Sequence, residues 1–352
     1  MAAASYNGSL EPSEPSWPKP RQTCILTTAA HPTTHWLDLI ELDMQRVDQV
    51  IGERLSTEVP LVREVAQYII SAGGKRLRPA LLLLFAGALD CQSPDRHTLA
   101  AVVEFIHTAT LLHDDVVDES TLRRGRETAN ERFGNAASVL VGDFLYSRAF
   151  QMMVDVNQMR VMQILSEATN VIAEGEVLQL MNMHDAALDE TAYLRVIRSK
   201  TAKLFEASAR LAPVLARSSP QVETLCATYG QALGTAFQVI DDVLDYEGDA
   251  HLLGKNLGDD LREGKVTLPI ICALRRSTEA QKARIREAIE SGDLAHLDEI
   301  QAIIRQTGAL DTARHSAAQE AQRAIDAASQ LPVNLYSEAL LQLAAGLQQR
   351  RS

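Results

Sequence analysis

Two aspartate clusters of the same form stand in this chain: Asp114-Asp115-Val116-Val117-Asp118 and Asp241-Asp242-Val243-Leu244-Asp245. On a helix, the first and last carboxylates of each cluster project from one face, one turn apart. Like charges at that spacing destabilise a helix. The chain nevertheless sets them there twice, each time beside an apolar segment, Phe105 to Leu112 and Ala236 to Ile240. A bound cation resolves the conflict. Carboxylate oxygens without thiol or imidazole partners suit Mg²⁺, which takes one or two carboxylates and completes its shell with water and substrate phosphates. One such cluster alone is weak evidence, because acidic helix faces are common; two in matching context point to metal.

Net charge is −12, which argues against sequence-independent binding to nucleic acid or to an anionic membrane. Against that background two basic clusters are conspicuous: Gly74-Lys75-Arg76-Leu77-Arg78-Pro79 and Arg123-Arg124-Gly125-Arg126. Taken alone, Gly73-Gly74 reads as a helix cap followed by a solvated start. Paired with the second basic cluster and two acidic ones, it reads as an anion site. The four cysteines (Cys24, Cys91, Cys226, Cys272) include no CxxC pair and read as reduced, mostly buried side chains of a cytoplasmic protein. The apolar run Ala80 to Leu89 is too short to span a bilayer, and no signal peptide is evident at the N-terminus.

The elements that hold these residues read as helices. Four of the twelve prolines fall between Pro12 and Pro20 among Ser, Ala and Glu, and residues 1–33, without hydrophobic periodicity, are expected to be a disordered tail. Residues 34–352 are expected to form one all-α domain of roughly ten to twelve helices. No proline occurs between Pro94 and Pro213, a stretch that long helices fill comfortably. The first aspartate cluster should close a helix beginning near Ser93 or Pro94 and ending near Asp118. The second should close one running from Gln221 to Tyr246. Both sets of carboxylates would then lie at C-terminal ends, where the helix dipole disfavours anions.

In combination these residues resemble the trans-polyprenyl diphosphate synthases. The likeness is carried by Gly73-Gly74-Lys75-Arg76-Leu77-Arg78-Pro79, Leu111 to Asp118, Arg123-Arg124-Gly125 and Phe237 to Asp245. Val141 to Met153, Ala173 to Leu180, Lys200 to Glu206, and Gly254-Lys255-Asn256 with Gly264-Lys265 resemble the proteobacterial octaprenyl diphosphate synthases in particular. The resemblance spans about Leu37 to Arg350. It implies an isoprenoid-synthase-type bundle of mostly antiparallel helices around a deep central cavity, usually a homodimer. It implies head-to-tail condensation of an allylic diphosphate, farnesyl diphosphate first, with successive isopentenyl diphosphates. The product would be a long all-trans polyprenyl diphosphate, of octaprenyl length, for a quinone side chain, with peripheral membrane contact as it is released.

The same resemblance assigns roles. Asp114, Asp118 and Asp241 would hold two or three Mg²⁺ ions, with Asp115, Asp242 and Asp245 completing the acidic machinery. Lys200, Lys255, Lys265 and Arg123 would contact the leaving diphosphate, with Thr201 and Gln238 on the allylic substrate. Lys75, Arg78, His107 and Arg124 would hold isopentenyl diphosphate. Guanidinium forks grip phosphate bidentately and lysine adds a point charge. Ala109 and Thr110, five and four residues before Asp114, are small and would leave the cavity floor open for a long product. His113 reads as structural. Six of the eight methionines fall between Met152 and Met183, as adaptable core packing or as the lining of a tunnel. Three other readings stand beside the long-chain synthase: a short-chain farnesyl or geranylgeranyl diphosphate synthase, a non-catalytic partner subunit, and a terpene cyclase. Cyclases commonly lack a second diphosphate site, and partner subunits usually lose an aspartate motif.

Overall fold

The long proline-free stretch folds as expected mostly into helices, broken by one short two-strand ribbon. The structure, a computed structural model, describes residues 35–71, 73–123, 125–247 and 258–347. The N-terminal tail expected at residues 1–33, together with Arg124 and Lys255, lies outside the described residues. The described part contains sixteen α-helices, eleven of them twelve residues or longer. In chain order these begin with α1 (Glu41–Arg54), α2 (Pro60–Ser71), α3 (Leu77–Ala88) and α4 (Asp95–Val117). A two-strand ribbon, β1 (Leu122–Arg123) and β2 (Arg126–Glu127), follows. Next come α5 (Ala129–Phe133), α6 (Asn135–Val156), α7 (Met159–Met181), α8 (Glu190–Ile197), α9 (Lys203–Leu215) and α10 (Pro220–Glu247). The C-terminal run is α11 (Asp259–Arg262), α12 (Leu268–Arg276), α13 (Glu279–Ser291), α14 (Leu297–Gln306), α15 (Ala309–Ala328) and α16 (Leu335–Leu347).

Helix α3 explains the centre of the bundle. Its sequence, LRPALLLLFAGA, is apolar on every side, and ten of its twelve residues are buried; a helix of that composition must be surrounded. Around it lie α4, α9 and α16. Phe85 of α3 meets Tyr229 of α10 edge to face, with centroids 5.2 Å apart. The Tyr229 hydroxyl, fully buried, donates to the Leu340 carbonyl at 2.7 Å, so the ring's apolar burial carries no orphaned polar atom.

Two apolar cores share α10. Its first half, through Ala236, packs into the large core with α3, α4, α6, α7 and α9. From Val239 to Tyr246 it belongs to a second core with α8, α12, α13, α14 and α15. The second aspartate motif thus sits where the two cores meet. Met152 and Met153 are buried in the large core while Met159 and Met181 are exposed, so no one role covers the methionine-rich stretch. Cys91, Cys226 and Cys272 are buried free thiols.

Candidate active site

A cavity of about 650 Å³ opens where the C-terminal ends of α4 and α10 face the start of α3. Helix α4 ends at Val117 with Asp118 as its cap, and α10 runs to Glu247. Both motifs therefore crowd carboxylates where the helix dipole is unfavourable to them. Asp114, Asp118, Asp241 and Asp245 line the cavity, as does Asp260, which sequence reasoning did not single out. Lysines compensate the crowding. Lys265 Nζ donates to Asp118 Oδ2 at 2.8 Å, and Lys200 Nζ lies 3.6 Å from Asp114 Oδ2. Burial works against the Lys265 charge, but Asp118, Glu263 and Asp260 outweigh it and hold the ammonium above its ordinary pKa.

The middle aspartates of the two motifs, Asp115 and Asp242, are held differently from their neighbours. Asp115 is fully buried and is not part of the cavity wall. One helical step of about 100° turns it away from Asp114. Its Oδ1 accepts from Arg123 Nε at 2.9 Å and from a terminal nitrogen of the same guanidinium at 2.6 Å. Burial outweighs that pairing and raises the Asp115 pKa. Removing Arg123 would strand a buried carboxylate, at about 3–5 kcal/mol. Arg123 does reach the cavity, but its guanidinium is first a tether for α4. The ribbon that carries it is pinned by the Tyr68 hydroxyl on the Glu127 carbonyl at 2.7 Å and by Thr128 Oγ1 on the Ser120 carbonyl at 2.7 Å.

Asp242 is also buried, yet touches the cavity. It accepts from the Tyr193 hydroxyl at 2.5 Å and from Gln238 Nε2 at 2.8 Å, while Gln238 Oε1 accepts from Thr201 Oγ1 at 3.0 Å. Burial, reinforced by the Asp260 charge, pushes the Asp242 carboxyl well above the usual carboxylate range. Tyr193 lies forty-nine residues from Asp242, too far for any local pattern to have flagged it.

Lys200 and Thr201 sit on a π-helical turn, Arg198–Ala202, between α8 and α9. Such turns widen the helix and mark functional sites often. Two glycines let neighbouring helices press against it. A Cβ on Gly175 of α7 would lie 2.7 Å from the Lys200 amide nitrogen, and one on Gly234 of α10 would lie 2.7 Å from Ala202 Cα. Backbone atoms cannot yield as side-chain tips do, so Gly175→Ala should overpack this seam at a cost of about 1–3 kcal/mol. The expected result is a lowered Tm together with a fall in kcat that exceeds any loss of folded protein. Thermal melting and steady-state kinetics on the same preparation check this; a normal kcat would show that the turn tolerates displacement.

Across the cavity from the aspartates lies the basic wall. Gly73 and Gly74 take positive φ, 75° and 147°, which lets the chain turn sharply into α3. Lys75, Arg78 and His107 line the cavity there. An Arg78 terminal nitrogen lies 3.1 Å from His107 Nε2, and the guanidinium sits 4.4 Å above the Phe205 ring centroid. His107 is seven residues before Asp114, about 20° short of two full turns, so α4 presents both to the same space.

Ala109 is fully buried in the large core, whereas Thr110 and Leu111 line the cavity. Five residues turn a helix by about 500°, leaving Ala109 about 140° away from Asp114; four leave Thr110 only about 40° away. His113 turns outward, with Nε2 3.1 Å from the Val139 carbonyl and its ring stacked on Tyr146. Glu176 and Glu263, also missed from sequence, each bond a cavity lysine at 2.6 Å. Burial, then the Asp114 charge, pushes the Glu176 carboxyl up to about 7 against the opposing pull of Lys200.

The donor set fits a hard divalent cation. It is made of carboxylate oxygens from two helix ends, and His107 is engaged with Arg78 instead. Among the described residues no three acidic or histidine groups form a closed cage. An ion here would keep water and substrate oxygens in its shell, as Mg²⁺ does.

Residues 59–307 match the family model described as polyprenyl synthetase. The chain is 52% identical over 308 residues to octaprenyl diphosphate synthase of Escherichia coli strain K12, covering 87% of this chain and 95% of the relative. It is 50% identical over 307 residues to octaprenyl diphosphate synthase of Haemophilus influenzae, covering 87% and 93%. Among solved structures, a polyprenyl synthase from Caulobacter crescentus, complexed with calcium and isoprenyl diphosphate, superposes with a TM-score of 0.87. Its identity is 44%, covering 90% of this chain and 97% of that one. An all-α bundle with paired aspartate motifs, matched over this length and identity, leaves one assignment: the chain belongs to the polyprenyl synthetase family.

Proposed function

We propose that this chain is a trans-prenyltransferase that elongates an allylic diphosphate, farnesyl diphosphate first, with successive isopentenyl diphosphates to an all-trans octaprenyl diphosphate. The observation that carries the reading is one cavity with two unlike walls: both aspartate motifs with Lys200 and Lys265 beside the first of them, and a basic wall of Lys75, Arg78 and His107. Two relatives at 50% and 52% identity that carry the octaprenyl name support the product length. So do the small Thr110 and the flexible Leu111 on the wall near Asp114, where a growing chain would pass.

In this reading Lys200, Lys265 and Arg123 hold the diphosphate that leaves, while Thr201 and Gln238 orient the allylic substrate. Mg²⁺, two or three ions held by Asp114, Asp118 and Asp241, would supply neutralising charge for the departing diphosphate. The allylic C–O bond breaks, its electron pair leaves with the diphosphate, and the double bond of isopentenyl diphosphate attacks the cation. A proton is then lost to the released diphosphate, the base already held beside the new cation. Lys75, Arg78 and His107 keep the second diphosphate away from the acidic wall, so its own C–O bond stays intact. Lys255 and Arg124 would join the two sites from outside the described residues.

A homodimer in the cytoplasm is part of the proposal. Exposed apolar side chains on adjacent helices, Leu140 and Val154 on α6 and Val177, Leu180 and Met181 on α7, support it as a face for a second copy. The buried free thiols suit a reducing compartment, and no described helix is long and apolar enough to cross a membrane. The test is stoichiometry. With Mg²⁺, one inorganic diphosphate should be released per isopentenyl diphosphate consumed, and none from farnesyl diphosphate alone. Release from the allylic substrate alone would indicate a cyclase, and no release with both substrates a non-catalytic subunit.

A further inference from the structure

Lys200 and Lys265 come from unrelated parts of the chain and are nevertheless built into the cavity in the same way. Each ammonium bridges one carboxylate of the first aspartate motif and one glutamate outside both motifs. Lys200 Nζ lies 2.6 Å from Glu176 Oε2 and 3.6 Å from Asp114 Oδ2. Lys265 Nζ lies 2.6 Å from Glu263 Oε2 and 2.8 Å from Asp118 Oδ2. Glu176 stands on α7 beside Gly175, whose missing side chain lets that helix reach the Lys200 backbone. Glu263 caps α11, and its side chain is 10% exposed against 29% for Glu176.

An ammonium has three donors. On Lys265 one donor meets the glutamate and one the aspartate, which leaves a third for a ligand in the cavity; Lys200 meets its glutamate at 2.6 Å and stands 3.6 Å from its aspartate, which leaves it at least as much. Without the glutamate, a flexible lysine stem would let the charge settle on the aspartate alone, covering an oxygen that the cation needs. Each glutamate also cancels one positive charge near an anion site, so raw attraction cannot be its purpose. Orientation can be.

We propose that Glu176 and Glu263 are positioning residues that fix the Lys200 and Lys265 ammonium groups against the cavity wall, aimed at the leaving diphosphate. This rests on the reading of those lysines given under Proposed function. Two double-mutant cycles test it, Glu176→Gln with Lys200→Met and Glu263→Gln with Lys265→Met, each run with kcat, both KM values and Tm. Each glutamate variant should lower kcat about 10- to 100-fold, with the KM for isopentenyl diphosphate within about twofold of wild type. In the lysine-free background the same substitution should change kcat by less than about twofold, because the group it acts through is gone. A purely structural glutamate would lower Tm and multiply its kcat loss in both backgrounds, and that result would overturn the proposal. So would a glutamate variant with unchanged kcat. If Lys200→Met and Lys265→Met themselves leave kcat and the allylic KM untouched, the assignment of the lysines fails first, an outcome readable before the glutamates enter.

Discussion

Alanine in place of Asp114 or Asp241 should lower kcat at least about 10²-fold, the scale on which one preorganised charge-stabilising group is lost. The structure adds a contrast to that expectation. Asp114 is partly exposed in the cavity, and its partner Lys200 keeps a second anchor in Glu176 at 2.6 Å. Removing Asp114 also relieves a like-charge cluster at a helix C-terminus, so Tm should hold or rise. Asp115→Ala should do the reverse: its buried carboxylate is the partner of Arg123, and the loss should appear first as a lower Tm. Chelation should abolish turnover of the wild type. Near-normal kcat in Asp114→Ala at saturating substrate would remove the metal assignment.

Removing Lys75 or Arg78 should act mainly on the KM for isopentenyl diphosphate, because that diphosphate carries the same charge in ground and transition states. Each charge-assisted contact is worth roughly 1.5–3 kcal/mol, or about 10- to 150-fold. Arg78→Lys should rescue little. Lysine cannot reproduce the planar fork that meets His107 at 3.1 Å and stacks 4.4 Å above Phe205. The KM for farnesyl diphosphate should move much less. Equal losses for both substrates would show that the two diphosphates do not occupy separate walls.

The helices that carry the site were legible because their signals are local. Breakers at Ser93-Pro94 and at Ser218-Ser219-Pro220 bound the two motif helices, which run Asp95–Val117 and Pro220–Glu247, within a residue or two of expectation. The i, i+4 aspartates fall on one face for the same reason. What was not legible is azimuth combined with burial. Asp115 and Asp242 look equivalent to their neighbours in sequence, yet one helical step sends one into a pocket sealed by Arg123 and the other under Tyr193. Ala109 and Thr110 are neighbours along the helix, yet the first is sealed in the large core and the second reaches the cavity.

Long-range partners were invisible for another reason. Glu176 meets Lys200 only because α7 and the π turn touch at Gly175, and nothing in RSKTA announces a widened turn. Glu263, two residues before Lys265, was within reach of a local reading. An acidic residue beside a lysine is ordinarily a solvated surface pair, whereas this side chain is only 10% exposed.

The most direct measurement of the central claim is product length. The purified protein is incubated with farnesyl diphosphate, labelled isopentenyl diphosphate and Mg²⁺, and the dephosphorylated products are resolved by chain length. The distribution should end at octaprenyl, with shorter intermediates only when isopentenyl diphosphate is limiting. Products that stop at farnesyl or geranylgeranyl length with isopentenyl diphosphate in excess would contradict it.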